Sequence, residues 1–365
     1  MAYRSYADFL NALENAGELI RIKSPTATEL EITEIADREM KKPDGGKAIY
    51  IEKPTINGKI SSIPLAINTM GSTKRMAMAL GANSVDEVAE KLGSLVQAKP
   101  PTGLRDAMGL LSRALELRHA RPKKVRSGPC KDVIHHFNSP PPQTDPWPEA
   151  SNVNQPQNIS KDPPSLLDLP ILKCWPLDGG RFLTLPCVVT RDPDTGDRNL
   201  GMYRMQVYDD QSTGMHWQLQ KVAARHGRRY YENGERMPVA VFFGGDPVYP
   251  FCATAPMPDG LDEFLLAGYL RGKSVEMIKC ETSDLEVPAN ADIVIEGYID
   301  TTEPLRDEGP FGDHTGYYTL PEPYPVFHIT AITHRKNATY PATIVGIPPM
   351  AVSYTHLTLP TICSV

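Results

Sequence analysis

From Leu169 to Arg335 the chain is a succession of short apolar and β-branched runs separated by turns rich in Asp, Pro and Gly. No other feature narrows the fold as far. The runs are Leu185–Thr190, Met202–Tyr208, Val239–Phe243, Glu276–Cys280, Ile293–Ile299 and Val326–Thr333. In the last, Phe327, Ile329 and Ala331 alternate with His328 and Thr330, the two-residue period of a strand with one buried face. Many short strands broken by turns pack as a barrel or a sandwich. One helix is expected among them, from Leu261 to about Arg271, with Leu261, Phe264, Leu265 and Tyr269 on one face. The other side carries Glu263 beside Leu266, Ala267 and Leu270, so the helix is apolar nearly all round. Glu263 is therefore expected to point into packed protein, where a carboxylate needs a cation or hydrogen-bond donors.

Residues 1–120 read as a small α/β domain. Ser5 caps a helix carrying Phe9, Leu10 and Leu13, which Gly17 ends. Strands are expected at Leu19–Ile22, Ala48–Ile51 and Ile63–Ile67. Thr28 with Glu31, and Ser84 with Glu87, have capping-box spacing ahead of further helices. Residues 121–168 read as a linker. The basic stretch Arg118–Arg126 lacks interleaved aromatics and contains Pro122, which favours a solvated connection over a nucleic-acid site. Asn138–Pro164, dense in Pro, Asn, Gln and Ser, reads as exposed. A length of 365 residues suits two domains, and the second is assigned to residues 169–349.

The net charge of −6 argues against a nucleic acid or an anionic membrane as the main partner. No apolar run approaches the length of an integral membrane segment, and the N-terminus lacks the apolar core of a signal peptide. Cys130, Cys174, Cys187, Cys252, Cys280 and Cys363 show no C-x-x-C spacing, which fits reduced thiols in a cytoplasmic protein.

Chemistry concentrates around Asn199-Leu200-Gly201-Met202-Tyr203-Arg204. This stretch follows the turn Asp192–Asp197 and, with Leu185–Thr190, reads as a hairpin. A hairpin has no need of Asn and Arg at its mouth; the plain alternative is a surface loop with a solvated Arg. Asn199, His216 and Glu263 together offer an amide oxygen, an imidazole nitrogen and a carboxylate, a set suited to Mg²⁺ or Mn²⁺. The alternative for His216, beside Trp217, is a satisfied structural histidine. Glu308 and Asp313 are held on a Gly- and Pro-shaped loop, where two close carboxylates would leave one a proton donor at neutral pH. Arg204 offers a fork that binds a substrate carboxylate bidentately and orients Glu308. A turn with solvated acids is the competing reading.

Asn199–Arg204, Gly214–Trp217, the segment from Pro258 to Gly272, Asp284–Ala289 and Glu308–Tyr318, in that order, resemble the UbiD-like family of decarboxylases. The resemblance runs from about Tyr3 to Pro349. It implies an α+β protein: a central split β-barrel similar to flavin reductases, carrying prenylated FMN, behind the N-terminal α/β domain. It also implies reversible, non-oxidative decarboxylation of an aromatic or α,β-unsaturated acid. Carried over, Asn199, His216 and Glu263 are expected to hold a Mn²⁺ (or Mg²⁺) that bridges the cofactor phosphate, with K⁺ as an optional further ion. Met202, Tyr203, Arg204, Trp217 and Gln218 are expected to line the flavin, with His216 at its metal and Lys221 at its phosphate. Arg204, Glu308 and Asp313 match the catalytic set, in which either acid returns the proton. The implied partners are a small acid substrate, a flavin prenyltransferase that supplies the cofactor, and further copies of the chain. A polyprenyl hydroxybenzoate, a menaquinone precursor, a phenolic acid and a cinnamate-type acid remain open as substrates.

The sequence departs from that pattern in two places. Asn138–Pro164 reads as a surface insertion. After Pro349 the match stops, and residues 352–365 read as a translated adapter rather than a biological terminus. Family members continue into a third α/β domain, so the chain as written is expected to expose apolar barrel surface, associate poorly and turn over little. Two other functions compete: an FMN-dependent oxidoreductase on the same barrel, and a non-catalytic binding module.

Overall fold

The computed structural model describes residues 2–96, 120–137, 165–255, 257–258 and 260–347. The Asn138–Pro164 connection, the start of the basic stretch and the 352–365 tail lie outside them.

The N-terminal unit is built on a mixed sheet. Helix α1 (Tyr6–Asn15), whose first turn Ser5 caps, buries Tyr6, Phe9, Leu10 and Leu13. Strand β1 (Leu19–Ala27) runs parallel to β2 (Ala48–Ile56), and α2 (Glu31–Met40) makes the crossover. Strands β3 (Lys59–Ile60) and β4 (Leu65–Ile67) both pair antiparallel with β2. Helices α3 (Thr73–Ala79) and α4 (Val85–Val96) follow. The capping box expected at Thr28 does not form. The Thr28 hydroxyl donates instead to the Thr55 carbonyl, and α2 starts after Leu30, whose φ is 64°. Glu31 still turns back, accepting from the Ala27 N–H at 2.6 Å.

Arg75 pins this unit. Its side chain is fully buried and donates to the carbonyls of Gly45, Gly46 and Asn68 while pairing with Glu18 at 3.1 Å. A guanidinium can be buried only when its donors are matched in this way.

The basic stretch is not simply a solvated linker. Its β5 (Lys123–Lys124) runs parallel to β13 (Glu276–Lys279), which pairs antiparallel with β14 (Glu286–Pro288). Strand β6 (Val133–His136) joins the largest sheet. That sheet is seven-stranded and antiparallel, in the order β11-β18-β15-β12-β8-β9 with β6 on β18. The strands are β8 (Cys187–Arg191), β9 (Arg198–Met202), β11 (Ser212–Gly214), β12 (Met237–Phe243), β15 (Ile293–Ile299) and β18 (Val326–His334). Among the described residues no strand pairing closes this sheet into a barrel.

The expected strand Met202–Tyr208 is divided. Met202 ends β9, and β10 (Met205–Gln206) pairs with β7 (Phe182–Leu183) in a separate ribbon. The expectation of a single helix in this region is also corrected. Helices α5 (Val222–Asn233) and α6 (Val248–Thr254) precede α7 (Glu263–Arg271), which Asp262 caps and which leaves Leu261 exposed. Finally, β16 (Arg306–Glu308) pairs with β17 (Glu322–Tyr324), and β19 (Tyr340–Ala342) returns to run parallel to β4. Cys130, Cys174, Cys187, Cys252 and Cys280 are free and buried.

Arg75→Met should destabilise the chain by about 3–5 kcal/mol, because it removes the buried partner of Glu18, which keeps only Lys74, and one donor from each of three carbonyls. Chemical denaturation would measure this, and a loss below about 1 kcal/mol would contradict the role given to Arg75.

Candidate active site

The β8–β9 hairpin turns at Asp192, whose Oδ1 accepts from the N–H groups of Asp194 and Thr195. Asn199 to Met202 therefore lie in the body of β9 rather than at a hairpin mouth. After Met202 the chain leaves the sheet, and Tyr203 folds back over Gly201. A Cβ at Gly201 would lie 2.3 Å from the Tyr203 hydroxyl oxygen, so only glycine permits the fold-back. This turn aims Arg204 away from β9 and toward β16.

Arg204 donates from Nε and Nη2 to Glu308 Oε1 at 2.9 and 2.6 Å, and from Nη1 to Asp313 Oδ2 at 3.4 Å. Its Nη2 also meets the Thr319 hydroxyl at 3.2 Å, and its guanidinium carbon lies 4.5 Å from the Phe311 ring centroid. Glu308 is 1% exposed. Its Oε1 also contacts His216 Nδ1 at 2.9 Å, while Oε2 is buried without a partner. The His216 ring packs on Tyr324 with centroids 4.2 Å apart, and its Nε2 lies 3.5 Å from the Tyr324 hydroxyl. Asp313 is pushed up by burial. The backbone and ring of His314 and the charge of Arg204 outweigh that push and hold its carboxyl below the usual range.

The loop that carries these acids is clamped from outside the expected residues. Gln206 accepts from the Gly309 N–H at 2.6 Å and donates to the Gly179 carbonyl at 2.8 Å. Asp178 accepts from the Gly312 N–H at 2.8 Å. A Cβ at Gly312 would lie 2.2 Å from Trp175, which is why glycine stands there. Sequence reasoning gave no role to Gln206, Asp178, Thr319, Phe311 or Tyr324. The only local signal was for Phe311, which lies inside the Glu308–Tyr318 stretch.

Asn199 and Glu263 face a different space, a cavity of about 200 Å³ bounded by the β8–β9 turn, α5 and the start of α7. Glu263 is 8% exposed and accepts from the Leu200 N–H at 2.8 Å. Among the described residues no Lys, Arg or His pairs with it. Burial pushes its carboxyl up to about 7, against the pull of the Leu200 N–H. The Asn199 amide nitrogen is buried without a partner. Asn199 and Glu263 are thus brought together, while His216 stands in the Arg204–Glu308 cluster. Among the described residues no three His, Cys, Asp or Glu side chains group as a metal site. Tyr203 and Trp217 are buried, and Trp217 lies against Gly227 of α5. Met202 is half-buried, and Gln218 and Lys221 are exposed, with Lys221 capping α5.

The family model for the 3-octaprenyl-4-hydroxybenzoate carboxy-lyase Rift-related domain (UbiD) matches residues 148–348, and that for the same enzyme's N-terminal domain matches residues 10–94. The chain belongs to the UbiD family. An Archaeoglobus fulgidus protein is 45% identical over 351 residues, 96% of this chain and 66% of its own length. UbiD-class enzyme HmfF from Pelotomaculum thermopropionicum, solved in complex with prFMN, superposes with a TM-score of 0.76 at 25% identity, covering 97% of this chain and 70% of that one. The vanillic acid decarboxylase of Sedimentibacter hydroxybenzoicus shares the fold, with a TM-score of 0.76 at 24% identity over 97% of this chain and 67% of its own. This UbiD-family chain therefore spans about two thirds of the length of these proteins. No helix among the described residues is long and apolar enough to cross a membrane.

In the metal-free chain Glu263 should make stability fall as pH rises. Its folded value, about 7, exceeds the ordinary 4.5. Between those values the folded state therefore holds a proton that the unfolded state has lost. Stability is then lost progressively up to pH about 7, by at most about 3 kcal/mol. Melting temperatures of the chelated protein and of Glu263→Gln, compared from pH 5 to 8, should diverge in that direction; parallel curves would refute it.

Proposed function

We propose that this UbiD-family chain carries the acid–base and cofactor-binding part of a non-oxidative carboxy-lyase acting on an aromatic or α,β-unsaturated acid. The observation that carries this reading is the buried Arg204–Glu308 pair, with His216 and Asp313 against it. A buried ion pair is costly to assemble, and no packing requirement asks for four polar side chains at this point.

The residues fit the group that the family implies. A buried Glu263 carboxylate with which no described Lys, Arg or His pairs is a donor that a divalent ion would satisfy, and the Asn199 side-chain oxygen, in the same cavity, would be a second. His216 would be the third ligand. Its Nδ1 is engaged by Glu308, so Nε2, 3.5 Å from the Tyr324 hydroxyl, is the nitrogen that would have to exchange that contact for the metal. Met202, Tyr203, Trp217, Gln218 and Lys221 would hold prenylated FMN, with the metal at its phosphate. When bound, that cofactor supplies an electron sink for carboxylate loss that amino-acid side chains do not offer.

Arg204 uses Nε and Nη2 on Glu308, so its Nη1 edge, held only by Asp313 at 3.4 Å, is the edge for a substrate carboxylate. Asp313, held below the usual carboxyl range, stays ionised and balances the guanidinium charge. Glu308 Oε2, buried and unpartnered, is the atom assigned to carry the proton to the carbon that loses its carboxylate. A flavin prenyltransferase would supply the cofactor, self-association would complete the enzyme, and the cytoplasm is the proposed location. A hydroxybenzoate-type acid is one candidate substrate.

Expression with a flavin prenyltransferase and Mn²⁺, followed by intact mass of the released cofactor, tests this reading. FMN plus a five-carbon prenyl unit is expected, and plain FMN retained equally by Glu263→Ala would overturn it in favour of an oxidoreductase. In the loaded protein Glu308→Gln should lower CO₂ release per bound cofactor by roughly 10²–10⁴-fold.

A further inference from the structure

Arg198 precedes Asn199 in β9, and its donors are spent on the cap of the helix that carries Glu263 and on Glu286. Nε donates to Asp262 Oδ2 at 3.1 Å, Nη2 donates to the same oxygen, and Nη1 donates to Glu286 at 3.0 Å. Its guanidinium carbon lies 5.0 Å from the ring centroid of Phe264 in the first turn of α7. Asp262 is the N-cap of α7, accepting from the Phe264 N–H at 2.9 Å, and is the residue just before Glu263. Glu286, in β14, is also paired with Lys124 of β5 at 2.6 Å. One side chain thus ties the start of β9, the cap of α7 and the edge of the β13–β14 sheet into a single cluster. The Arg198 side chain is only 13% exposed.

The two residues adjoining this link, Asn199 and Glu263, share one cavity. Their separation depends on how α7 sits against β9. Among the described residues two hydrogen-bonded contacts hold it there: the Leu200 N–H to Glu263 bond and the Arg198 fork on Asp262. The first involves Glu263 itself, for which a cation would compete. The second does not, and a planar fork holding one carboxylate fixes direction as well as distance.

We propose that Arg198 is a positioning residue that sets the Asn199–Glu263 spacing for a divalent cation. The proposal rests on the metal role given to Asn199 and Glu263 above. Arg198 lines the same cavity, but its donors are engaged by Asp262 and Glu286, so it acts through Asp262 and the first turn of α7. Orienting partners of this kind are worth roughly 10- to 100-fold in metal affinity.

The test uses the full chain co-expressed with a flavin prenyltransferase, stripped with chelator and titrated with Mn²⁺ followed by electron paramagnetic resonance. Arg198→Met should weaken Mn²⁺ binding by roughly tenfold or more, and Arg198→Lys, which keeps the charge but loses the fork, should recover only part of it. Arg271→Met is the structural control. Arg271 pairs with buried Asp246 at 2.8 Å at the opposite end of the same helix, so its loss should lower the melting temperature and leave Mn²⁺ affinity unchanged. Unchanged Mn²⁺ affinity in Arg198→Met, with loss in Glu263→Gln, would overturn the positioning role alone. Equal weakening by Arg271→Met would reduce it to general helix stability and overturn it too. No Mn²⁺ binding by the unmodified chain would overturn the metal reading on which the proposal stands.

Discussion

A half-buried guanidinium and a carboxylate with almost no access to water, Arg204 and Glu308, set the conditions that the surrounding structure meets. Neither ion is tolerable alone in such a place, and each is acceptable only because the other is held at hydrogen-bond distance. The break between β9 and β10 exists to bring Arg204 out of the sheet. Gly201, with no side chain, leaves room for Tyr203 to double back at that break. On the other side the β16 end is fixed by Gln206 and Asp178, which hold the backbone on both flanks of Phe311. The pair is thus gripped from two ribbons that are themselves short and would be weak in isolation.

The second centre, around Asn199 and Glu263, is coupled to the first through sequence as much as through space. Asn199 lies in the strand whose end delivers Arg204, and the Arg204 carbonyl accepts from the His216 N–H at 3.2 Å. His216 in turn meets Glu308. A displacement of β9 would therefore be felt at both centres. The covering helices and the antiparallel sheet make that displacement costly, since β9 packs against α6 and α7 as well as pairing with β8.

Much of the strand pattern was legible, because buried strands in an antiparallel sheet carry their signal locally. Ile293–Ile299 coincides with the observed strand, and Val326–Thr333 differs from it by one residue. Helix α5 was not legible. Its buried face is Ala223, Ala224, His226, Gly227 and Tyr230, too small and too polar to show an apolar period. Helix α6 reads as a strand by composition, and its short length gives period no room. The Thr28 capping pattern misled because a hydroxyl has several nearby carbonyls to choose from, and Thr55 on the neighbouring strand won. At the candidate site, the residues proposed to react stood out in the sequence by type, whereas those that hold them did not. Gln206 and Gly309 stand more than a hundred positions apart, and nothing local marks a glutamine as a clamp.

The return of β19 to the N-terminal sheet has a consequence for how the molecule comes into being. Tyr340–Ala342 pairs with Leu65–Ile67, so the edge of the first sheet waits for residues synthesised some 275 positions later. Until then β4 presents unpaired backbone groups on a strand whose residues are all buried in the finished structure. A nascent chain emerging from the ribosome must carry this open edge while those intervening residues are made, a topology that slows closure and invites wrong partners. This early-made sheet is closed by a strand made long after it.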